Sequence, residues 1–255
     1  MLAKERQEKI YSILKDRGAV SASSLTSQFG VSLETIRRDL LLMEEAGMLT
    51  RVHGGAIAIG DMKPNRTLTE RNMECSSEKR ELSEKAAEFI NEGDIISVDA
   101  GSTAIAFAQV LKERFSSLTV VTHSMDVFEL LNNHENFSVI LLGGHFLKSE
   151  NAFVGVLTHE MLRCVHIQKA FIFPYALSIG KGIFDYNTSL LEVQREMMKS
   201  SDEIFILADS SKFEKTALIK TCDMKTEFTY ITDSGFSKNL YNLYLENNIN
   251  IKIKE

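Results

Sequence analysis

Between residues 94 and 253, seven short apolar runs alternate with stretches of helical periodicity, and this alternation constrains the fold more than any other feature. The runs are 94–99 (DIISVD), 118–122 (LTVVT), 138–143 (SVILLG), 169–173 (KAFIF), 203–208 (EIFILA), 228–232 (FTYIT) and 249–253 (INIKI). Strands this continuously apolar must be covered on both faces. The helical patterns near 78–91, 103–114, 125–133, 155–164, 188–200 and 236–246 supply the cover. The expectation is an α/β fold with a mainly parallel sheet over residues 78–255.

The N-terminal residues 1–60 follow another plan, that of a small winged helix-turn-helix domain. Residues 4–17 place Ile10, Ile13 and Leu14 on one helical face, and 22–29 turn Leu25 and Phe29 inward. A third helix, 33–46, is capped by Ser32 and stopped by Gly47. At about 100° per residue, Leu33, Ile36, Leu40 and Met43 share the core face, Glu34, Thr35 and Arg38 face outward, and Arg37 lies on the flank. Met48–Val52, a His53-Gly54-Gly55 turn and Ala56–Ile59 read as a hairpin. Residues 61–77 are polar, hold Pro64, and are expected as a linker.

A helix-turn-helix presents the start of its second helix to the major groove. Thr35 and Arg38 are therefore the base-edge candidates, with Glu34 beside them. Arg37 suits a phosphate, and Ser32 caps the helix while its free N–H groups face the backbone. Arg51 and His53 would reach an adjacent phosphate or minor groove, with Gly54-Gly55 allowing close approach. The competing reading, an Arg-Arg pair on a solvated face, is outweighed by the agreement of cap, helix spacing and basic hairpin.

Charge sharpens this. The chain carries −6 overall; residues 1–60 hold eight Lys/Arg and seven Asp/Glu, near +1, leaving 21 basic against 28 acidic residues, −7, in the remainder. Affinity for DNA must come from placement of arginines and from multimerisation, since bulk charge is nearly absent. Paired half-sites require at least a dimer, and a homodimer or homotetramer is expected. No apolar run reaches bilayer-spanning length, and MLAKERQEKI lacks a signal-peptide core, so a cytoplasmic protein without a membrane partner is expected. Cys75, Cys164 and Cys222 are too scattered for a disulfide framework, and Cys164 with His166 is too few ligands for a metal.

In the second domain, Asp99-Ala100-Gly101-Ser102-Thr103-Ala104 closes a strand and opens a helix, an arrangement that offers N–H groups and a favourable dipole to a phosphate. Ser102 and Thr103 add hydroxyls, and Asp99 would accept from sugar hydroxyls. Thr122-His123-Ser124, Gly143-Gly144 and Asp209–Lys212 also follow strands, and Lys212 and Lys79 are candidate phosphate cations. Simple capping by Asp99 and Ser102, and solvated lysines, are the structural alternatives.

The stretch 30–56, with VS-x-x-TIRRDL and R-x-HGGA, resembles the winged helix-turn-helix signature of the DeoR family of bacterial transcription regulators. Glu78-Lys79, Asp99–Thr103, Val121–Ser124, Leu141–Gly144, Glu192–Met198 and Ala208–Phe213 are similar to that family's sensor domain, so the resemblance covers nearly the whole chain. It implies a regulator of sugar catabolism, usually a repressor, whose partners are a double-stranded DNA operator and a phosphorylated sugar effector, with no cofactor. It also implies a sensor domain related to ribose-5-phosphate isomerase, whose phosphate loop Gly101–Ala104 resembles, and it adds Glu192 to the effector residues. His123 departs from the family's usual Asn and introduces a pH-sensitive group. Phe173-Pro174-Tyr175-Ala176 replaces a stretch similar to "GANG" and is expected to reshape the pocket floor.

Two other functions compete with the regulator. A sugar-phosphate isomerase with an appended DNA-binding domain would need a positioned base. Residues 173–176 contain no carboxylate, which leaves Glu192 and Asp209 as bases and argues against catalysis. An architectural DNA-binding protein would not respond to sugar phosphates.

Overall fold

A computed structural model describes residues 3–17, 19–46, 48–52, 55–58 and 67–254, which divide into two compact units, 1–65 and 66–255. Among the described residues, no helix is long and apolar enough to cross a membrane.

The first unit runs α1 (Ala3–Arg17), β1 (Ala19–Ser21), α2 (Ala22–Phe29), α3 (Leu33–Glu45), β2 (Leu49–Val52) and β3 (Gly55–Ala58). Its three helices close on Ile10, Leu14, Leu25, Ile36, Leu40 and Met43, with Leu49 and Ala56 from the hairpin. The short strand β1, absent from the sequence reading, pairs antiparallel with β3, so the wing is a three-stranded sheet ordered β1-β3-β2.

The second unit opens with α4 (Leu68–Met73) and α5 (Ser76–Ala87). Residues 67–77, which read as linker, thus belong to helical structure, and the remainder of that stretch lies outside the described residues. Polarity misleads here because α4 buries none of its residues. It forms instead through a capping box, in which the Thr67 hydroxyl accepts from the Glu70 amide at 3.2 Å and the Glu70 carboxylate accepts from the Thr67 amide at 2.8 Å.

Then follow β4 (Ile95–Val98), α6 (Ser102–Arg114), β5 (Leu118–Thr122), α7 (Met125–Leu131), β6 (Phe137–Leu141), a hairpin β7 (His145–Leu147) and β8 (Ala152–Val154), and α8 (Val156–Arg163). The chain continues through β9 (Ile167–Ile172), β10 (Ala176–Ser178), β11 (Gly182–Asp185), α9 (Thr188–Lys199), β12 (Ser201–Leu207), β13 (Ile219–Cys222), β14 (Thr229–Thr232), α10 (Lys238–Glu246) and β15 (Asn250–Ile253). The seven apolar runs become one parallel sheet ordered β15-β14-β12-β9-β4-β5-β6.

Period-two alternation sorts the two faces. Phe171, Phe205 and Val98 pack against Leu82, Phe107, Leu111 and Val127 of α5, α6 and α7. Ala170, Ile172, Ile204 and Ile206 pack against Leu162, Val193, Met197 and Tyr244 of α8, α9 and α10. Phe171 and Phe205 stack across neighbouring strands at 5.0 Å, and Phe107 caps Phe171 at 4.7 Å. The chain leaves β4 toward β5 and β6, then returns to β9 on β4's other side. The carboxyl ends of β4 and β9 therefore flank a topological switch point, where ligands bind in sheets of this kind.

Candidate DNA-reading surface and effector pocket

Helix α3 begins where Ser32, in extended conformation, accepts from the Thr35 amide at 3.2 Å, and the two hydroxyls pair at 2.9 Å. Ile36, Asp39, Leu40 and Met43 are buried, while Arg37, Arg38 and Glu34 are exposed. Leu33 shares the apolar sector but occupies the first turn, at the helix end, and is 41% exposed, contrary to the expectation from periodicity. Arg37 lies 3.9 Å from Glu34, an exposed pair too weak to hold it back from a phosphate. Arg51 is tied to α3, since its amide donates to Glu44 Oε1 at 2.7 Å and its guanidinium stands 3.9 Å from that carboxylate. His53 and Gly54 lie outside the described residues.

Two features correct or extend the sequence reading. Gly55 makes its close approach to β1 rather than to a ligand, because a Cβ there would sit 2.0 Å from the Val20 carbonyl oxygen. Asp39 turns inward and takes both Arg6 Nε and Arg6 Nη2, the latter at 3.1 Å, with Gln7 Nε2 at 3.3 Å. The hydrogen bond to Asp39 pushes the Arg6 pKa up. This buried pair clamps α1 to α3.

In the second unit, Asp99 is the hub at the switch point and is 1% exposed. Its Oδ1 accepts from the Ala100 amide at 2.8 Å and faces His123 Nε2 at 3.0 Å, while Oδ2 accepts from the Phe173 amide at 3.1 Å and Gln194 Nε2 at 3.0 Å. The other ring nitrogen of His123 faces the Phe153 carbonyl at 2.8 Å. Both ring nitrogens thus face oxygen atoms, and His123 ties the carboxyl end of β5 to that of β4 through Asp99.

Gln194 Nε2 also donates to Asp185 Oδ2 at 3.1 Å, and its Oε1 is buried without a partner. Burial pushes Asp185 up to about 6, opposed by amide bonds from Asn187 and Tyr186 and reinforced by the charge of Asp99. A carboxyl raised in the folded state binds its proton more tightly there than in the unfolded chain. Its stabilising effect is therefore present at acid pH and lost as pH rises from about 4 through about 6. Asp185→Asn is expected to raise stability at pH 7.5 by about 2–3 kcal/mol and to change it little at pH 4. Thermal melts at the two pH values check this; an equal shift at both would remove the charge explanation.

Helix α6 starts at Ser102 behind Gly101, and no side chain caps it. Ser102 and Thr103 are buried, and Thr103 Oγ1 has no partner. Lys212, in the turn after β12, donates to the Pro174 carbonyl at 3.1 Å and stands 3.9 Å from Asp209. Pro174 adjoins Phe173, whose amide meets Asp99, so Asp99, Gly101, Ser102, Thr103, His123 and Lys212 converge on one strand-end region. Lys79 reaches the same region from α5 but is committed: its ammonium donates to the carbonyls of Arg71 and, at 2.6 Å, Glu74. Burial, with Lys212 nearby, pushes its pKa down.

Other expected residues stand elsewhere. Glu192 is exposed on α9; two residues on, about 200° around the helix, Gln194 is the side chain that enters. Thr122 donates to the Val98 carbonyl at 2.8 Å and accepts from the Ser124 amide at 3.1 Å, which fixes the turn around His123. Gly143 and Gly144 end β6 against α8: Thr158 donates to the Gly143 carbonyl at 2.8 Å, and a Cβ on Gly144 would lie 2.3 Å from the Thr158 hydroxyl. Of the two candidate bases, Glu192 is thus outside the pocket and Asp209 caps a short turn through the Ser211 amide at 3.2 Å. Phe173 does not form a pocket floor; it packs into the core, 6.0 Å from Phe107. Cys164 and His166 line a surface cleft with Arg163, Glu196 and Asp202, at the amino ends of β9 and β12.

Sequence reasoning missed Arg71, Glu150 and Tyr186. Arg71 Nη2 donates to both Glu150 oxygens, at 2.7 and 2.6 Å, and its guanidinium lies 5.9 Å from the Tyr186 ring centre. The Tyr186 hydroxyl also donates to Glu150, and Tyr175 packs edge-on against Tyr186 at 5.2 Å. The Thr67–Glu70 capping box was the one sequence signal that a helix would present Arg71.

Comparison with known proteins places these two units. Residues 6–61 match the model for the DeoR-like helix-turn-helix domain, and 74–234 that for the DeoR C terminal sensor domain. An uncharacterized HTH-type transcriptional regulator of Bacillus subtilis (strain 168), YulB, is 35% identical over 92% of this chain and 90% of its own. The lactose phosphotransferase system repressor of Lactococcus lactis subsp. lactis is 33% identical over 93% of each chain. Among solved structures, ribose 5-phosphate isomerase A from Methanocaldococcus jannaschii is 15% identical over 55% of each chain, with a TM-score of 0.41.

Proposed function

This chain belongs to the DeoR family of transcription regulators, and from that premise we propose that it represses a carbohydrate-catabolism operon and is controlled by a phosphorylated sugar held at the carboxyl ends of β4, β9 and β12. DNA binding is the output, with Arg38 and Thr35 reading base edges and Arg37 and Arg51 engaging phosphates as a homo-oligomer spans paired half-sites. The observation that carries the effector reading is the uncapped first turn of α6, with the Thr103 hydroxyl buried and unpartnered beside it. Free N–H groups, the helix dipole and the Lys212 ammonium suit a phosphate dianion. The relative named for the lactose phosphotransferase system supports a carbohydrate operon. The effector acts only through its different affinities for the DNA-bound and free states.

The test is to select a binding site from random DNA and titrate hexose and pentose phosphates against the complex. At least one is expected to change DNA affinity and raise the melting temperature; if none does either, the effector reading fails. Arg38→Ala is expected to lose about 1–3 kcal/mol of discrimination against mismatched sites. Unchanged specificity would move base reading to other residues.

A further inference from the structure

Helix α4 is the first helix of the second unit and so the element next along the chain to the DNA-binding unit. Apolar packing does not hold it: none of its residues is buried, and Met73 is 78% exposed. Its docking is polar. Arg71 is gripped by the buried Glu150 carboxylate and lies over Tyr186, and Lys79 takes the carbonyls of Arg71 and Glu74. With no buried apolar face, the helix is held mainly by these polar bonds, so one bond gained or lost at Arg71 bears directly on its docking.

The guanidinium is also a neighbour of the pocket. Arg71 Nη1 lies 4.0 Å from the position a Cβ on Gly101 would occupy, at the N-terminus of α6. Nη2 carries both bonds to Glu150, while Nε is buried with no partner. An arginine fork fits the oxygens of a phosphate, and this one has donor capacity left unused beside an uncapped helix start.

We propose that Arg71 couples the pocket to the DNA-binding unit: an anionic group bound at the first turn of α6 takes the Arg71 guanidinium as a partner and thereby fixes helix α4. The proposal rests on the effector pocket described above and adds the residue that transmits its occupancy. Tyr175 backs Tyr186 and so helps set where the guanidinium lies. Glu150 holds the guanidinium through Nη2 and so leaves Nη1 near the first turn of α6.

The experiment is amide hydrogen exchange on the full chain, with a panel of hexose and pentose phosphates, inorganic phosphate, and the unphosphorylated sugars. In the wild type, a saturating phosphate is expected to slow exchange in residues 68–73 about tenfold or more, the factor by which Arg71 strengthens its binding, and the unphosphorylated sugars are not. In Arg71→Gln the same compound should bind tenfold or more weakly, change exchange in 68–73 less than twofold, and leave DNA affinity unaltered, against the 5–150-fold change usual for coupled sites. Glu150→Gln, which retains Arg71 but loosens the hold on it, should still bind the compound yet protect residues 68–73 less than the wild type does.

Protection of the α6 first turn without protection of 68–73 would leave the pocket standing and overturn the coupling. So would an Arg71→Gln protein that keeps the full DNA response. If no phosphate binds the wild type, the pocket reading fails and takes this proposal with it.

Discussion

Asp99→Ala is expected to destabilise the second unit by at least about 3–5 kcal/mol, since each buried donor left without a partner costs about 1–3 kcal/mol. The carboxylate serves four donors: the amides of Ala100 and Phe173, Gln194 Nε2 and His123 Nε2. Alanine strands all four in a site closed to water. Asp99→Asn keeps one acceptor oxygen and should cost less, but its amide group points donors at donors. Urea denaturation followed by far-UV circular dichroism, with tyrosine fluorescence as second probe because the chain has no tryptophan, measures both. A loss under 1 kcal/mol for Asp99→Ala would mean that the hub is wet and its bonds are exchanged for water.

Asp39→Ala should abolish operator binding although Asp39 faces away from DNA. Arg6 would remain buried between α1 and α3 without the Asp39 carboxylate, at a cost of about 3–5 kcal/mol. Small domains typically hold roughly 0.05–0.15 kcal/mol per residue, so a unit this short has little more than that to lose. The double variant Arg6→Met/Asp39→Leu replaces the pair with apolar volume and is expected to recover both the fold and DNA binding. If the double variant folds but fails to bind DNA, the pair orients α3 rather than merely stabilising the unit.

The large sheet was legible because its inner strands are nearly continuous apolar runs, and burial on both faces leaves that mark in sequence, while the edge strands β6 and β15 are only partly buried. The strands β1, β7, β8, β10, β11 and β13 span three or four residues each, too few to establish a period. Asp99, Ser102, Thr103, His123 and Lys212 were legible as polar residues at strand ends. Gln194 was not, because an amide in mid-helix looks like a solvated position, and the motif drew attention to Glu192 instead. Arg71 was hidden by composition, since a helix that buries none of its residues has no apolar stripe to read. Asp39 could have been found: it sits one helical step from Ile36 and Met43, and a charge on that face demands a partner.

The Gly55 contact bears on how such a molecule can be controlled. With β1 pressed against β3 at a point where no side chain fits, and Arg51 tied to Glu44 of α3, wing and reading helix share one fixed geometry. In the proposed homo-oligomer, a ligand would then act on the distance and angle between two copies of this unit. Operators with altered half-site spacing should then mimic the effect of the ligand, whereas altered half-site sequence should not.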